Sequence, residues 1–511
     1  MLVSRSIARR GSAATLTSRP LRFGPLLLSM SLIALGACSR APQPRIAGAP
    51  AAPPSASAPW RAPRGVVPAE PRQASTVASG ALPPDITARQ DALALADVVD
   101  LALRNNPLTQ LSWSQARAGA AFYGAAGALY LPTVDGSVSN AFAQTTVGQT
   151  LGGVGSRRSF TPAVSLSYLL LDFGGRSGTV ASARSAAIAL DLTHNATLQS
   201  VALQVEGAYF TYQAQRALVA GARLTVAEAD TAVNSARQRN RAGVATIADV
   251  LQAETLLAQA QLDFETADGN LEVARGALAM AMGLPANARY GLAPVSDSFP
   301  VFLVAADVDT LINRALENRP DLAAARVQIE QSQAEVKVAR SALLPSAVLG
   351  STLGRPYSTQ QNASGRTFGV TLGVEIPIFN LARPYNVMAA RAQVDASIAR
   401  ANVLRTEVAQ QVYSSYYLLR TATQRTRTAD VLLTSALRSE AAARARYRAG
   451  VGTILDLVTA QAALASARAQ QSQSRWVWSN ALAQLSFDVG ALGPRGESLI
   501  PLSADSTGVR R

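Results

Sequence analysis

Residue types that support catalysis are scarce in this chain. Its 511 residues include one histidine, His194, one cysteine, Cys38, and one lysine, Lys337. A serine–histidine–aspartate or cysteine–histidine centre would have to use His194, while a histidine-rich metal site or a phosphate-binding lysine motif has too few residues of the required type. His194 lies at helical spacing among leucines, which is typical of a packing or helix-surface histidine. We therefore predict a protein that is not an enzyme and needs no metal or cofactor.

Two further patterns have a chemical and a structural interpretation. The glycine-rich segment 148–155 lies between two strand patterns and is not followed by a helix, so we expect an outer hairpin loop and not a phosphate cradle. Asp97 and Asp100 have the positions of acidic residues in the first turn of a helix. Glycosidase-type chemistry by such a carboxylate pair stays formally open from the sequence.

The single cysteine ends a pattern typical of an export signal. Five arginines precede an apolar run over residues 23–35, which is too short for an ordinary membrane-spanning helix. The sequence Leu35-Gly36-Ala37-Cys38 resembles the bacterial lipobox, which implies cleavage before Cys38 and acylation of its thiol. The alternative is a plain signal peptide with an incidental cysteine.

After the cysteine, residues 39–85 consist largely of Ala, Pro, Ser and Arg and have almost no apolar periodicity. Such a segment cannot bury enough surface to offset its ordering entropy, so we predict a tether. Residues 1–90 contain 11 arginines against Glu70 and Asp85, which is +9 of the chain's net charge of +14. The remaining residues are only weakly basic, and nucleic acid is therefore not an expected partner.

The rest of the chain is a tandem duplication. Residues 237–283 return as residues 444–490 with every matched residue shifted by 207 positions. We predict a signal peptide at 1–37, an acylated cysteine with its tether at 38–88, a first repeat at 89–296, a second repeat at 297–493 and a C-terminal tail at 494–511.

Each repeat is predicted to contain a helix, two strands and two long helices. The strand patterns lie at residues 134–144, 160–170, 346–357 and 367–379. Their length of about ten to thirteen residues suits tilted strands, which need about 9 to 11 residues to cross a bilayer. Apolar positions alternate with small and polar ones, as in a wall with one lipid face and one wet face. Four strands cannot close a membrane barrel, so the fold class predicted is mainly α with a β-barrel whose remaining strands come from other copies.

The long helix patterns run over residues 176–241 and 385–448, after predicted breaks at Gly174-Gly175 and Arg383-Pro384. At about 1.5 Å per residue each would be a rod of roughly 100 Å. Because these helices are rich in Ala, Gln, Ser and Arg, we expect that neither repeat has an apolar core of its own and that the repeats complete each other. A soluble helical bundle would explain the helices but not the strands.

These features together resemble the TolC family of outer-membrane efflux channels, in its lipoprotein branch. The resemblance covers about residues 91–490 in both repeats. Its motifs are Asn106-Pro107 and Arg319-Pro320, Leu171-Asp172-Phe173-Gly174-Gly175-Arg176 with Phe379-Asn380-Leu381, and Arg239, Gly243 and Asp249 with Arg446, Gly450 and Asp456. The resemblance implies a homotrimer whose twelve-stranded β-barrel continues into a periplasmic α-helical barrel.

The same resemblance assigns roles to the turns between the long helices. The turns would form the periplasmic tips, where a membrane-fusion adaptor docks, and an acidic ring near them would narrow the channel. The adaptor-docking residues would be Arg239, Ala242, Gly243, Val244 and Thr246 with Arg446, Ala449, Gly450, Val451 and Thr453. The periplasmic aperture would be formed by Asp456, Thr459, Asp249 and Tyr447. Gly452 lacks the basic side chain of some members, and simple helix capping is an alternative role for the threonines and aspartates.

The function implied is a passive exit duct for drugs or other small molecules, anchored to outer-membrane lipid and energised by an inner-membrane pump, most simply one of the resistance-nodulation-division type. Two alternatives stay open. One is the exit channel of a type I secretion system for polypeptides, and the other is a periplasmic helical scaffold without a pore.

Overall fold

The computed structural model describes residues 55–58, 92–146, 154–293, 303–304, 307–358, 365–492 and 502–503. The helices are α1 Leu95–Asn105, α2 Pro107–Gly127, α3 Gly175–Arg241, α4 Ile247–Ala281, α5 Val308–Asn318, α6 Pro320–Ser341, α7 Ala382–Arg448 and α8 Ile454–Asp488. The strands are β1 Thr133–Thr146, β2 Val154–Leu171, β3 Leu303–Val304, β4 Ser346–Gly354, β5 Tyr357–Ser358, β6 Thr367–Glu375 and β7 Leu502–Ser503. The export signal, Cys38 and the centre of the predicted loop at 148–155 lie outside the described residues.

The four long strands form one antiparallel sheet in the order β1-β2-β4-β6. The central pair joins the two repeats, because β2 belongs to the first and β4 to the second; Leu166 lies opposite Ser351 in their register. Strands β1 and β6 are the two edges of the sheet within this protomer. The predicted strands are confirmed, and β1 and β2 are longer than expected, since they pair as far as Thr146 and Val154.

Two strand ends in the second repeat were predicted wrongly. The pattern at 346–357 breaks after Gly354, where the backbone N–H of Arg355 donates to Pro162 O at 3.0 Å and Pro356 has no N–H to continue the ladder. Tyr357 then starts β5, which pairs separately with β2. The pattern at 367–379 ends at Glu375, because its partner β4 begins opposite that residue and no strand among the described segments lies beside residues 376–379.

The two longest helices, α3 and α7, contain 67 residues each, which is about 100 Å of helix. Helix α3 follows Gly174, whose φ of 103° lies in the left-handed region, and Arg176 N donates to the Asp172 carboxylate at the start of the helix. Helix α7 begins at Ala382, so the break predicted at Pro384 is wrong. Proline is compatible with the first helical turn because its missing N–H would have no helical acceptor there.

The shorter helices lie one after the other along the long ones. Asn106 precedes α2 and joins it to the end of α4: its side chain accepts from Leu108 N at 2.9 Å, and its Nδ2 donates to Ala281 O at 3.3 Å. In the second repeat Arg319 precedes α6, and its Nη1 lies 3.4 Å from Asp488 O at the end of α8. The Asn-Pro and Arg-Pro motifs thus lie between the two short helices of each repeat, and their polar side chains contact the end of its last long helix.

The expectation that neither repeat has an apolar core of its own is wrong. One cluster of buried residues, which includes Val99, Leu101, Val201 and Leu278, comes almost wholly from the first repeat. Another, which includes Leu311, Val408, Leu419 and Leu485, lies within the second. The few Leu and Val residues of each repeat are concentrated where its short helix pair meets its long helix, and alanine packs the rest of the rods closely.

The repeats do share a third cluster at the far end of the rods. It is formed by Ala232, Val233, Ala236, Val250 and Ala253 from the first repeat with Tyr447, Ile454 and Leu457 from the second. Within the described residues, no helix has the length and apolar character needed to cross a membrane.

Candidate functional site

The candidate site is the pair of turns that join α3 to α4 and α7 to α8. Each turn contains a glycine in the left-handed region, Gly243 with φ 75° and Gly450 with φ 78°. Val244 N donates to Arg239 O at 3.0 Å, and Val451 N donates to Arg446 O at the same distance. These bonds satisfy the last carbonyls of the long helices, and the positive φ explains why glycine occupies both positions.

The helices that leave the turns begin with matching capping boxes. Thr246 Oγ1 accepts from Asp249 N at 3.2 Å, and an Asp249 carboxylate oxygen accepts from Thr246 N at 2.8 Å. Thr453 and Asp456 repeat the arrangement, with both distances 3.2 Å. The pKa of Asp456 is lowered, most of all by the hydrogen bond that the Asp456 carboxylate accepts from Thr453 N. Asp456 is therefore ionised at neutral pH.

Arg239 connects the two turns. Its guanidinium lies over the ring of Tyr447, 4.8 Å from the centroid, and its Nη1 donates to Tyr447 O at 2.7 Å. The Tyr447 ring is buried, and its hydroxyl has no hydrogen-bond partner among the described residues. Burial is the main cause that raises the pKa of Tyr447. Arg446, the repeat counterpart of Arg239, is exposed. The duplicated arginines thus differ in their surroundings.

The other predicted adaptor-docking residues are all exposed at the tips. These residues are Ala242, Gly243, Val244, Thr246, Arg446, Ala449, Gly450, Val451 and Thr453. Arg239 is only partly exposed because it contacts Tyr447. Two apolar side chains, Val244 and Val451, are among the most exposed of the tips, with 64% and 70% of their surface accessible.

The predicted aperture residues fall into two groups. Asp456 and Thr459 are exposed on α8. Asp249 and Tyr447 lie at the junction of the repeats, where the charge of Asp249 contributes to the raised pKa of Tyr447. The structure therefore brings Asp249 and Tyr447 near each other within one protomer.

Sequence reasoning missed an ionic network farther along the helices. Glu228 of α3 receives two hydrogen bonds from Arg468 of α8, at 2.9 and 3.0 Å, and lies 3.8 Å from Arg444 of α7. Arg444 also pairs with Glu440 at 2.6 Å. The only sequence signal was the spacing of four between Glu440 and Arg444, because the other contacts depend on how three helices are aligned.

The sheet has one apolar exposed face. On β6 the alternating residues Phe368, Val370, Leu372 and Val374 are each at least 60% exposed, and Val134, Val138 and Phe142 continue the pattern on β1. Small and polar residues such as Gly369, Thr371 and Gly373 occupy the intervening positions. This alternation is typical of strands with one face toward lipid.

A family model described as "Outer membrane efflux protein" matches residues 98–284 and 311–491, which is most of both repeats. The chain belongs to the outer membrane efflux protein family. Members of this TolC-like family are outer-membrane channels, and this member is accordingly an exit duct of the outer membrane.

Export or secretion appears in the names of two of the following three relatives of this efflux protein. Protein CyaE of Bordetella pertussis is 29% identical over 402 residues, which cover 78% of this chain and 83% of the relative. The pyoverdine export outer membrane protein OpmQ of Pseudomonas aeruginosa is 28% identical, over 65% of this chain and 69% of the relative. The alkaline protease secretion protein AprF of the same species is 27% identical, over 79% and 86%.

The fold of the efflux protein is also that of solved channels. The outer membrane channel CmeC of Campylobacter jejuni superposes with a TM-score of 0.68 at 21% identity, over 78% of this chain and 85% of that one. The duplicated helix-strand-strand-helix-helix arrangement is thus the family fold.

Proposed function

We propose that this protein is the outer-membrane exit duct of a tripartite efflux system for small molecules, working as a homotrimer. The observation that carries the proposal is an imbalance between the duplicated elements. Helix α3 packs against α2 and α4 of its own repeat and also against α6 and α8 of the other. Its counterpart α7 packs mainly against α5, α6 and α8 of its own repeat. A neighbouring copy's α2 and α4 would supply the missing partners.

The sheet has the same imbalance. Strand β2 pairs with β4 across the repeats, whereas its counterpart β6 is an edge. Pairing of β6 with β1 of the next copy would remove both edges, which a bilayer requires. Three copies would contribute twelve strands, the number implied by the resemblance to the family.

In this proposal the tips carry the partner contacts. The exposed turns, with Val244 and Val451 at their ends, dock a periplasmic membrane-fusion adaptor. Asp456 and Thr459 face the aperture, where three copies of the Asp456 carboxylate form a ring, and Asp249 and Tyr447 hold neighbouring helices beside it. An inner-membrane pump, most simply of the resistance-nodulation-division type, supplies the energy, and the duct carries out no reaction of its own.

The N-terminal region anchors the duct in this proposal. Cleavage before Cys38 and acylation of its thiol attach the protein to outer-membrane lipid, and residues 38–88 act as the tether. The repeats at 89–296 and 297–493 form the duct, and 494–511 is a tail.

Single-channel conductance tests the pore and its aperture together. Asp456→Asn removes the charge and keeps an oxygen that can cap Thr453 N, so the variant should lose cation preference while the protein stays folded. Asp249→Asn is the matched control, because it changes the same cap in the first repeat, and it should keep the preference. A protein that forms no heat-resistant trimer and no conductance would support the helical scaffold instead.

A second candidate function is secretion of polypeptides. It is favoured by the similarity to AprF, whose name refers to protease secretion and whose alignment covers 79% of this chain. Deletion of the gene should sensitise cells to small toxic compounds if efflux is the function. Loss of secreted proteins from the medium, with unchanged sensitivity, would favour secretion.

A further inference from the structure

The N-terminal segment contacts the first repeat at His194. Residues 55–58 form a turn, in which Ala58 N donates to Ser55 O at 3.2 Å. The carbonyl oxygen of Ala58 lies 3.2 Å from Nε2 of His194 on α3. His194 has no exposed surface, and Ala56 in the turn is 9% exposed. The turn is therefore packed on the repeat through a buried polar contact.

The hydrogen bonds define the state of the imidazole. A carbonyl oxygen can only accept, so Nε2 must carry the proton that it shares with Ala58 O. Nδ1 lies 2.8 Å from Ser112 Oγ on α2, and Thr109 O lies 3.1 Å from the same hydroxyl. When the ring is neutral, the hydroxyl donates to Nδ1, which is the nearer of the two acceptors. Burial lowers the pKa of His194, which favours the neutral ring. The second ring nitrogen contacts a backbone carbonyl and not a carboxylate, so Ser112 and His194 do not have the arrangement of a serine–histidine–aspartate triad.

The duplication provides an internal comparison. Helices α2 and α6 correspond with a shift of 213 residues and α3 and α7 with a shift of 207, so Ala325 and Ala401 replace Ser112 and His194 in the second repeat. Both alanines are partly exposed. Only one N-terminal segment exists per chain, and the buried polar pair is present only in the repeat that the segment contacts. An unpaired buried N–H is costly, so the pair is consistent with a site that is normally occupied.

We propose that Ser112 and His194 form a docking site for the protein's own N-terminal segment. His194 Nε2–H holds the carbonyl of Ala58, Ser112 supports this tautomer by donating to Nδ1, and the tether is attached to the first repeat at this point. His194 is 19 residues into α3, about 30 Å along the helix. The 20 residues from Cys38 to Ala58 can span at most about 70 Å.

The dock therefore sets how far the lipid anchor can lie from the helices. This limit on the position of the lipid anchor rests on the proposed acylation of Cys38. The contact of the N-terminal segment with His194 does not depend on that acylation. Channel conductance does not depend on the dock, so failure of the dock and failure of the proposed duct give different results.

Nuclear magnetic resonance tests the dock directly, because His194 is the only histidine. Protein labelled with ¹⁵N-histidine should show one neutral imidazole at pH 7 with the proton on Nε2. In Ser112→Ala, which removes the hydroxyl that donates to Nδ1, the ¹⁵N shift of Nδ1 should move to that of an imidazole nitrogen without a hydrogen bond, while Nε2 keeps the proton that it shares with Ala58 O. A wild-type imidazole that is protonated on Nδ1, or that exchanges between tautomers as a free ring does, would overturn the proposal without any variant being needed.

Limited proteolysis tests whether the segment is held. Trypsin can cut after Arg45 and after Arg61, on either side of the turn. In the full-length protein, His194→Phe should accelerate cleavage after Arg61 by roughly tenfold, the loss expected for one buried hydrogen bond. His194→Gln, which keeps an N–H donor, should accelerate it less.

The matched control for these variants is Ser397→Ala. It breaks a buried hydroxyl pair, Ser332 to Ser397 at 3.0 Å, between the corresponding helices of the second repeat. Cleavage after Arg61 should stay at the wild-type rate in this control. Equal rates in wild type and His194→Phe, with trimer and conductance intact, would show that the segment is not docked at His194.

Discussion

Arg239 and Arg446 occupy equivalent places in the two repeats, but only Arg239 contacts the other repeat. Arg239→Ala should lower the free energy of unfolding by about 1 to 2 kcal/mol, because it removes a cation–π contact and a hydrogen bond to Tyr447. Arg446→Ala is the matched control and should change stability by less than about 0.5 kcal/mol, as expected of an exposed side chain. Thermal melting of both variants measures the difference, and equal losses would contradict a specific role for Arg239.

Asp191 is a buried acid on α3, and within the part of the chain that the structure describes its Oδ1 has no hydrogen-bond partner. Burial raises its pKa to about 8, so the folded protein retains this proton at pH values where an unfolded aspartate releases it. The contribution of this retained proton to the free energy of unfolding is complete below about pH 4 and is lost as the pH rises toward 8. Asp191→Asn should therefore melt at a temperature that depends less on pH between 5 and 8.

The pH dependence that remains in that variant should come partly from Glu206. Burial raises the pKa of Glu206 to about 7, so its contribution to stability is also lost as the pH rises. The control is Asp230→Asn, which alters an exposed carboxylate of the same helix. A steep pH dependence in Asp191→Asn equal to that of the control would mean that Asp191 is ionised in the folded protein.

Among the helices, the end of α4 lies close to the end of α1. Gly283 follows α4 with φ 74°, and a Cβ at this position would lie 2.7 Å from the backbone carbonyl of Asn105. Gly283→Ala should destabilise the protein by about 2 kcal/mol or more, from the strained φ and the displaced helix end. Gly269→Ala, in the exposed middle of α4 with open space around it, should instead stabilise by about 0.5 to 1 kcal/mol. Melting temperatures that shift in opposite directions are the expected result.

For the whole molecule, the duplication predicts how the copies join. The hairpin registers place Thr133 where the second repeat has Ser346, and Ser167 where it has Glu375. Strands β1 and β4 therefore correspond with a shift of 213 residues, and β2 and β6 with a shift of 208. Applied to the Leu166–Ser351 pair between the repeats, these shifts place Val374 opposite Val138 of the neighbouring copy. Residues 376–379 would then gain the strand partner that they lack in one protomer.

Cysteine crosslinking tests that register. Val138→Cys combined with Val374→Cys should give covalently linked trimers on oxidation, because directly opposite residues lie within disulfide range. Ser137→Cys with Val374→Cys is the control: successive side chains point to opposite faces of a strand, so this pair should stay unlinked. A reversed pattern would mean that the register differs by one residue between the two junctions.

The sequence by itself determined the local and repeated features of this protein. Helix periodicity, the glycines of the turns, the capping pairs such as Thr246 with Asp249, and strand alternation depend on neighbours a few residues apart. The 207-residue repeat then fixed the order of elements. For the same reason the tight turns between the long helices could be predicted from Gly243 and Gly450, whereas their position at the tips followed from the resemblance to the family.

Only the tertiary structure decided which residues meet across helices. The contact of Arg239 with Tyr447, the Glu228 network, the burial of His194 and Asp191, and the early end of β6 all depend on how separate elements are aligned. A shift of one residue along a rod of about 100 Å changes every such contact and leaves the sequence pattern unaltered. Long-range packing, not local preference, therefore made these residues distinct from their duplicated counterparts.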